Sequence, residues 1–359
     1  MTATVASQRD LALLRLVAQR LAGDGFPSVA ETARWMTAMQ GQDLPGVISS
    51  AALRTAWCTA ADVRAAMDAG EVVRSWPMRG TLHLVAAEDL GWMITLGAPR
   101  VATAAGRRQQ QLGLDPATLG RARAVAVAEL EGGRRLRRAA LFAAWQQAGI
   151  STEGQRGAHL LGHLAVSRVL CLGPTEGREQ ALVLLDEWVP RPRRLEGDEA
   201  VAAWSLRYYR SHGPATVADF AWWTGLTVST ARAGLAEVHG QLERLDVDGQ
   251  TYWLDPATPD RLDTWRSDAA SVRLLPGFDE LLLGYRDRGA VLDPAYADRL
   301  LPGGGGMFKA SVVARGRVVG TWRRPAHSSD PAPDATPFTS FGRGVPAAIA
   351  RRWATYPRP

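Results

Sequence analysis

The sequence predicts an α+β fold in which helix–helix–hairpin units follow one another three times before a strand-rich C-terminal segment. Two observations carry this. Apolar residues recur at helical spacing in segments that each close on short strand-like runs. Beyond residue 262 the chain changes in kind, to short strands punctuated by Gly and Pro.

In the first unit, Leu11, Leu14, Ala18 and Leu21 mark a helix that Gly23-Asp24-Gly25 stops. Ser28-Val29-Ala30-Glu31 is a capping-box pattern that starts a second helix, running through Trp35 and Met36 to about Gln40. A third is predicted from Pro45 to Ala56, and a fourth from Thr59, with Asp62 three residues on, to Gly70. Val72 to Trp76 and Thr81 to Val85 then alternate as two strands joined at Pro77 to Gly80. Helices followed by a hairpin is the order of a winged helix-turn-helix.

The pattern recurs. Asp115-Pro116 supplies an N-cap and an N1 proline for a helix ending at Gly132-Gly133. Leu136 to Ala148 and Gln155 to Ser167 read as helices, and the apolar run Val169 to Leu172 as a strand. Pro190 to Arg194 reads as a linker. In the third unit, helices are predicted over Glu199 to Ser211, Ala215 to Trp223 and Val228 to Val238. Strands over Leu242 to Val247 and Thr251 to Leu254 flank Asp248-Gly249, a type I′ hairpin signal. In the last segment Ser311 to Ala314 pairs with Arg317 to Trp322 across Arg315-Gly316. Gly303 to Gly306 reads as a flexible loop and Ser328 to Pro337 as an exposed one; the former lacks the Lys-Ser/Thr of a phosphate-binding loop.

Composition narrows the function. The 359 residues suggest two to three domains at about 150 residues each. With 46% hydrophobic and 22% charged residues, the chain is neither disordered nor low in complexity. Two cysteines, Cys58 and Cys171, form neither a disulfide framework nor a four-thiolate zinc site. Met1 to Arg20 shows no apolar signal-peptide core, and no run approaches the ~18 apolar residues of a membrane span. A cytoplasmic protein without membrane partners is expected. The net charge is +6, and of 42 cations only Lys309 is lysine. A GC-rich genome accounts for the Arg:Lys ratio. The excess of cations stands apart from it and makes nucleic acid a candidate partner, since guanidinium binds phosphate through a planar fork.

No familiar catalytic set is present: no His-Glu-x-x-His, no Gly-x-Ser-x-Gly and no dinucleotide fingerprint. His159 and His163 share one helical face but lack a nearby carboxylate or cysteine, so surface or core roles fit them better than metal binding. One short segment stands out, Met39-Gln40-Gly41-Gln42-Asp43, where the second helix runs out and Gly41 lets the backbone leave helical geometry. In extended geometry Gln40 and Gln42 project to the same side. Two converging carboxamides hold and orient a water or a sugar, but they cannot take a proton at neutral pH. Helix capping or solvent exposure is the plainer alternative for such a pair.

At this point the sequence resembles a family. Trp35-Met36-Thr37-Ala38-Met39-Gln40-Gly41-Gln42-Asp43 is similar to the Gln-x-Gln motif of the AlkZ/YcaQ-type winged-helix DNA glycosylases. Arg74 to Val85 resembles that family's first hairpin; Gln155-Arg156 with Leu170 to Pro174 its second unit; His212 to Thr216 with Asp219 to Leu226 its third. Leu275 to Leu282, Asp287-Arg288 and Gly320-Thr321-Trp322 resemble its C-terminal portion. The resemblance covers nearly the whole chain. It implies three tandem winged helix-turn-helix units (1–108 with the Gln-x-Gln motif, 109–192 and 193–262) and a C-terminal β-barrel-like portion (263–359). It further implies hydrolysis of the N-glycosidic bond of N7-alkylated guanine, bulky adducts and interstrand crosslinks included, by a monofunctional enzyme. That enzyme would work as a monomer on double-stranded DNA without metal or cofactor. Gln40 and Gln42 fall on the two catalytic positions; between them stands Gly41, where the family usually has an aliphatic anchor.

Other residues are candidates beside these. Asp43 and Asp279 are alternatives for a general base, because most glycosidic hydrolysis uses carboxylates. Asp43 reads first as a helix cap or ion-pair partner, and a buried hydrogen-bonding role suits Asp279 equally. Arg79 and His83 flank the first hairpin as contacts to phosphate or lesion, with His83 alternating onto the polar face. Arg134, Arg135, Arg137 and Arg138 precede a predicted helix, where the macrodipole disfavours cations; an anionic partner explains them, and a solvated loop almost as well. The 13 tryptophans are half of all aromatics, equal to the 7 Phe and 6 Tyr together, and one or two near a cleft are candidates for stacking on bases. The competing functions are a non-catalytic winged-helix regulator and an RNA-binding protein. Three different units in one chain argue against the palindrome-reading dimer of the first. No RNP-like strand or Gly-x-x-Gly clamp supports the second.

Overall fold

In chain order the N-terminal segment forms α1 (Gln8–Ala18), α2 (Val29–Met36), β1 (Met39–Gln40), α3 (Leu44–Ala52) and α4 (Ala60–Asp68). A hairpin, β2 (Val72–Met78) and β3 (Thr81–Ala86), leads into α5 (Leu90–Gln111), α6 (Pro116–Leu130), α7 (Arg138–Gln147) and α8 (Arg156–Val166). Next come β4 (Leu170–Glu176), β5 (Glu179–Leu184), α9 (Leu185–Trp188), α10 (Gly197–His212), α11 (Val217–Thr224) and α12 (Val228–Val238). A third hairpin, β6 (Glu243–Val247) and β7 (Gln250–Leu254), precedes α13 (Thr258–Ala269), β8 (Arg273–Leu275), α14 (Glu280–Leu283) and α15 (Ala297–Leu300). The chain closes with β9 (Ser311–Ala314), β10 (Arg317–Arg323), β11 (Asp334–Pro337) and α16 (Val345–Ala354). The computed structural model describes residues 8–177, 179–304, 306–325, 327 and 332–358.

Contacts gather the chain into two units, residues 1–63 with 202–359, and residues 64–201. The first is discontinuous. Its core packs α1 (Leu11, Leu14, Val17) against Leu254, Leu262, Leu281 to Leu283, Val291 and Val313, so the N-terminal helix sits within the C-terminal half. Strands β11-β10-β9-β8 form an antiparallel sheet with two open edges. A satellite cluster of Trp322, Ile349, Trp353 and Tyr356 covers it with α16. In the second unit β3, β2, β4 and β5 lie side by side, all antiparallel. Helices α6, α7 and α8 bury Leu130, Trp145 and Leu164 together with Leu170 and Leu182.

Local signals are found where the sequence places them. Ser28 caps α2 by accepting from Glu31 N at 3.2 Å, and Asp115 caps α6 by accepting from Thr118 N at 2.7 Å. Asp248 and Gly249 both have positive φ (49° and 77°), as a type I′ turn requires. Several expectations are corrected. Helix α2 ends at Met36 rather than near Gln40, and α3 at Ala52 rather than Ala56. The 22-residue α5 and strand β5 are elements beyond those expected; Pro99 inside α5, and its exposed face beyond Gly97, hide the helical period. The C-terminal portion also carries α13 and α16. Asp334–Pro337 pairs with β10 rather than looping, while residues 328–331 lie outside the described residues. Pro302–Gly304 forms a 3-10 turn, and Gly305 and the first seven residues are likewise outside.

Candidate active site

The backbone leaves helical geometry at Thr37 (φ 64°), not at Gly41, and reverses so that Ala38 N donates to Met36 O at 2.7 Å. Met39, wholly buried, pins the short strand, and Gln40 follows with only 9% of its surface exposed. The Gln40 N–H donates to Glu280 Oε1 at 2.7 Å, and its own Oε1 accepts from Gly41 N at 2.9 Å. Asp43 then occupies the N-cap of α3 without a side-chain capping bond, and Pro45 starts the helix. Gly46 leaves room for the Asp43 carboxylate, since a Cβ there would stand 2.5 Å from Asp43 Oδ2 and displace that side chain.

A buried polar network holds this turn. Glu280 Oε2 accepts from Trp223 Nε1 at 2.9 Å and lies 3.5 Å from His212 Nε2; its backbone carbonyl accepts from Gln19 Nε2 at 3.2 Å. The adjacent Asp279 binds Arg54 through both oxygens, each at 2.9 Å, and accepts from Ser50 Oγ at 2.6 Å and Leu281 N at 3.0 Å. Arg54 Nη2 also donates to Gln19 Oε1 at 2.8 Å, joining the two carboxylates into one set. Arg54, Gln19, Glu280, Asp279 and His212 are all buried. Asp279 therefore takes the buried hydrogen-bonding role. Glu280, Arg54 and Gln19 were not singled out; the signal was a polar side chain within an apolar helical run.

Burial raises the Asp279 carboxyl, but the Arg54 guanidinium and the Ser50 and Leu281 donors outweigh it and hold it below the usual carboxylate range. Burial pushes His212 below its ordinary value despite Glu280, so the imidazole is neutral at pH 7. Both folded values are depressed, so both groups favour the fold at higher pH. Stability is expected to fall as pH drops below about 6.5, where His212 protonates in the unfolded chain. It falls again below about 4, where Asp279 does. Urea midpoints measured from pH 8 to 3 check this; a midpoint that rises on acidification contradicts it.

Gln42 is exposed and, with Asp43, lines a cleft of about 1000 Å³ in the first unit. Pro276-Gly277-Phe278, Phe308-Lys309, Trp322-Arg323-Arg324 and Tyr356 complete its walls. Gly277 allows the Phe308 carbonyl to approach, since a Cβ there would meet it at 2.6 Å. Three cations, Lys309, Arg323 and Arg324, face two carboxylates, Asp43 and Asp334; Arg323 pairs with Asp334 at 2.9 Å. The lining takes in Gln42 but not Gln40, so the two carboxamides occupy different surroundings.

The remaining candidates lie in the second unit. Arg79 (φ 56°) stands in the β2–β3 turn, its Nη2 3.2 Å from His83 Nε2, and His83 Nδ1 lies 2.9 Å from Thr81 O. His83 is fully buried rather than on a polar face; β3 is covered on both sides over its last four residues, so alternation does not report exposure there. Arg134, Arg135, Arg137 and Arg138 are all exposed. Arg135 lies over Trp188, Arg138 over Phe142, and Arg137 is 3.7 Å from Glu176. His163 is half-buried and burial lowers its pKa; among the described residues no group of three or more His, Cys, Asp and Glu could hold a metal. Among the described residues no helix is long and apolar enough to cross a membrane. In the first unit Trp57 is wholly exposed, at φ 57°.

The pattern of the family described as DNA glycosylase AlkZ-like matches residues 33–358. The chain is 27% identical over 334 residues to an interstrand DNA cross-link repair glycosylase of Streptomyces sahachiroi, covering 88% of each. Its fold matches the solved structure of Streptomyces sahachiroi DNA glycosylase AlkZ with a TM-score of 0.81, over 99% of each chain at 24% identity. This chain belongs to the AlkZ-like DNA glycosylase family.

Proposed function

We propose that the protein is a monofunctional DNA glycosylase that hydrolyses the N-glycosidic bond of N7-alkylated guanine, bulky adducts and crosslinks included. The observation that carries the reading is the Gln40-Gly41-Gln42 turn, clamped from within by Glu280 and opening at Gln42 on a cation-edged cleft. The relative named for interstrand cross-link repair supports the crosslink part. The cleft volume, at the upper end of ordinary ligand sites, supports bulky adducts.

N7 alkylation gives guanine a positive charge, so the base departs neutral without a general acid. What remains is to stabilise an oxocarbenium-like sugar and to place water at C1′. Gln42 lines the cleft, where its carboxamide can serve this role. Gln40 spends one lone pair on the Gly41 N–H and keeps the second, in a fixed orientation. Preorganised dipoles of this kind lower the barrier most where water is excluded. Asp43 borders the same cleft and is the carboxylate placed to help; Asp279, saturated by Arg54, Ser50 and Leu281, is a positioning residue.

In this reading the helix sets with hairpins β2–β3, β4–β5 and β6–β7 are three winged-helix units (1–108, 109–192, 193–262), with a C-terminal portion at 263–359. Arg79 and the cluster of Arg134, Arg135, Arg137 and Arg138 contact phosphate or lesion, with the buried His83 positioning Arg79 from behind, and the enzyme acts as a cytoplasmic monomer without a cofactor. Trp57 is the tryptophan that stacks on a base: it is fully exposed and held in a sparsely populated backbone region. Trp57→Ala is expected to leave the unfolding midpoint within error and weaken duplex binding roughly five- to a hundredfold, the range of one lost base–aromatic contact. Unchanged affinity would remove Trp57 from the interface.

A duplex carrying 7-methylguanine tests the whole proposal. Release of the base, leaving an abasic site that hot alkali cleaves, is the expected result. Tight duplex binding without release would favour the non-catalytic regulator.

A further inference from the structure

A second pocket of about 210 Å³ lies in the first unit, lined in part by Arg20, Arg273, Arg352 and Asp268, and Tyr356 borders both it and the larger cleft. Arg273 is only 8% exposed. Its Nη2 reaches the Asp268 carbonyl at 2.7 Å and carboxylate at 3.0 Å, yet its buried Nε has no hydrogen-bond partner among the described residues. Arg352 on α16 donates to Ser271 Oγ at 2.8 Å, to Val272 O at 3.0 Å and to Asp268 Oδ1 at 3.3 Å. Arg20 stacks over Phe26 and Trp35 at 4.8 and 5.2 Å, and its buried Nε is also without a partner.

Two guanidinium groups, Arg273 and Arg352, thus share one carboxylate, Asp268, which also accepts from the Gly23 N–H, and Arg20 lines the same pocket. Burial and the neighbouring Arg261 push Arg20 down to about 10 in spite of Asp255 and Asp24. Buried donors left unmade cost stability unless something external satisfies them. A group that fits this pocket must be small and anionic. It must also offer several acceptors to planar forks, which describes a phosphate better than a carboxylate.

We propose that this pocket binds a phosphate group, held by the three arginines that line it, Arg20, Arg273 and Arg352. The inference stands apart from the glycosylase reading. Its source is either free inorganic phosphate or the backbone of nucleic acid, and the two are separable.

The test uses the full-length protein and inorganic phosphate, titrated against chloride at matched ionic strength. A saturable rise in melting temperature is expected, since a ligand that binds only the native state stabilises it. Arg20→Gln and Arg352→Gln should each weaken phosphate binding roughly tenfold by calorimetry, the loss of about one charge-assisted hydrogen bond. Arg352 is exposed, so its variant folds even if loss of the Arg20 stack disturbs the first helix pair. An undamaged duplex that displaces phosphate, and binds both variants with a salt slope smaller by about one, identifies the DNA backbone as the source. Saturable phosphate binding with duplex affinity untouched identifies free phosphate. No rise beyond chloride, or variants that bind phosphate as wild type does, overturns the proposal.

Discussion

Gln42→Ala is expected to release 7-methylguanine about a hundredfold more slowly than wild type, with an unchanged urea midpoint. The magnitude follows from comparable sites, where removing one preorganised dipole from a developing charge costs about 10²–10³ in rate. Gln42 is the cleaner of the two glutamines to test, because it is exposed at the cleft and its truncation leaves the interior alone. Gln40→Ala should lower the rate similarly. It also strips Gly41 N of its acceptor in a buried turn, so about 1–3 kcal/mol of stability should go with it. The two variants are therefore read differently: rate alone for Gln42, rate at fixed folded fraction for Gln40. Wild-type release by the double variant would end the assignment of catalysis to this turn.

Arg54→Met should cost about 3–5 kcal/mol, a large share of the 5–15 kcal/mol that holds a typical protein folded. The arginine has no exposed surface and makes five hydrogen bonds, to Asp279, Ser50 and Gln19. Its removal leaves the Asp279 carboxylate buried without a counter-charge, which is the expensive half of breaking such a pair. Replacing both partners, Arg54→Met with Asp279→Leu, should recover part of the loss, since an apolar pair carries no desolvation penalty. Urea unfolding of the single and double variants checks both statements. A single-variant loss under about 1 kcal/mol would mean that the pair is a passenger in the core.

What the sequence disclosed depended on how far apart the interacting residues lie. The caps at Ser28 and Asp115 and the turn at Asp248-Gly249 were legible because each is decided within four residues. The Gln-x-Gln segment was legible through its resemblance to a family. Its support was not, because Glu280 reaches Gln40 from 240 positions away and nothing in local spacing reports that. His83 misled because alternation marks exposure only where one face of a strand is wet. Helix α5 escaped notice for a chemical reason, an internal Pro99 beside a polar, exposed C-terminal half.

That 240-residue reach bears on how the protein is made. At roughly 5–20 residues per second, a ribosome takes about 10–50 s to progress from Gln40 to Glu280. For that interval the emerging N-terminal helices have no C-terminal strands to pack on, and the glutamine turn has no anchor. A chain released prematurely, before α14, would carry both glutamines and no organised catalytic turn.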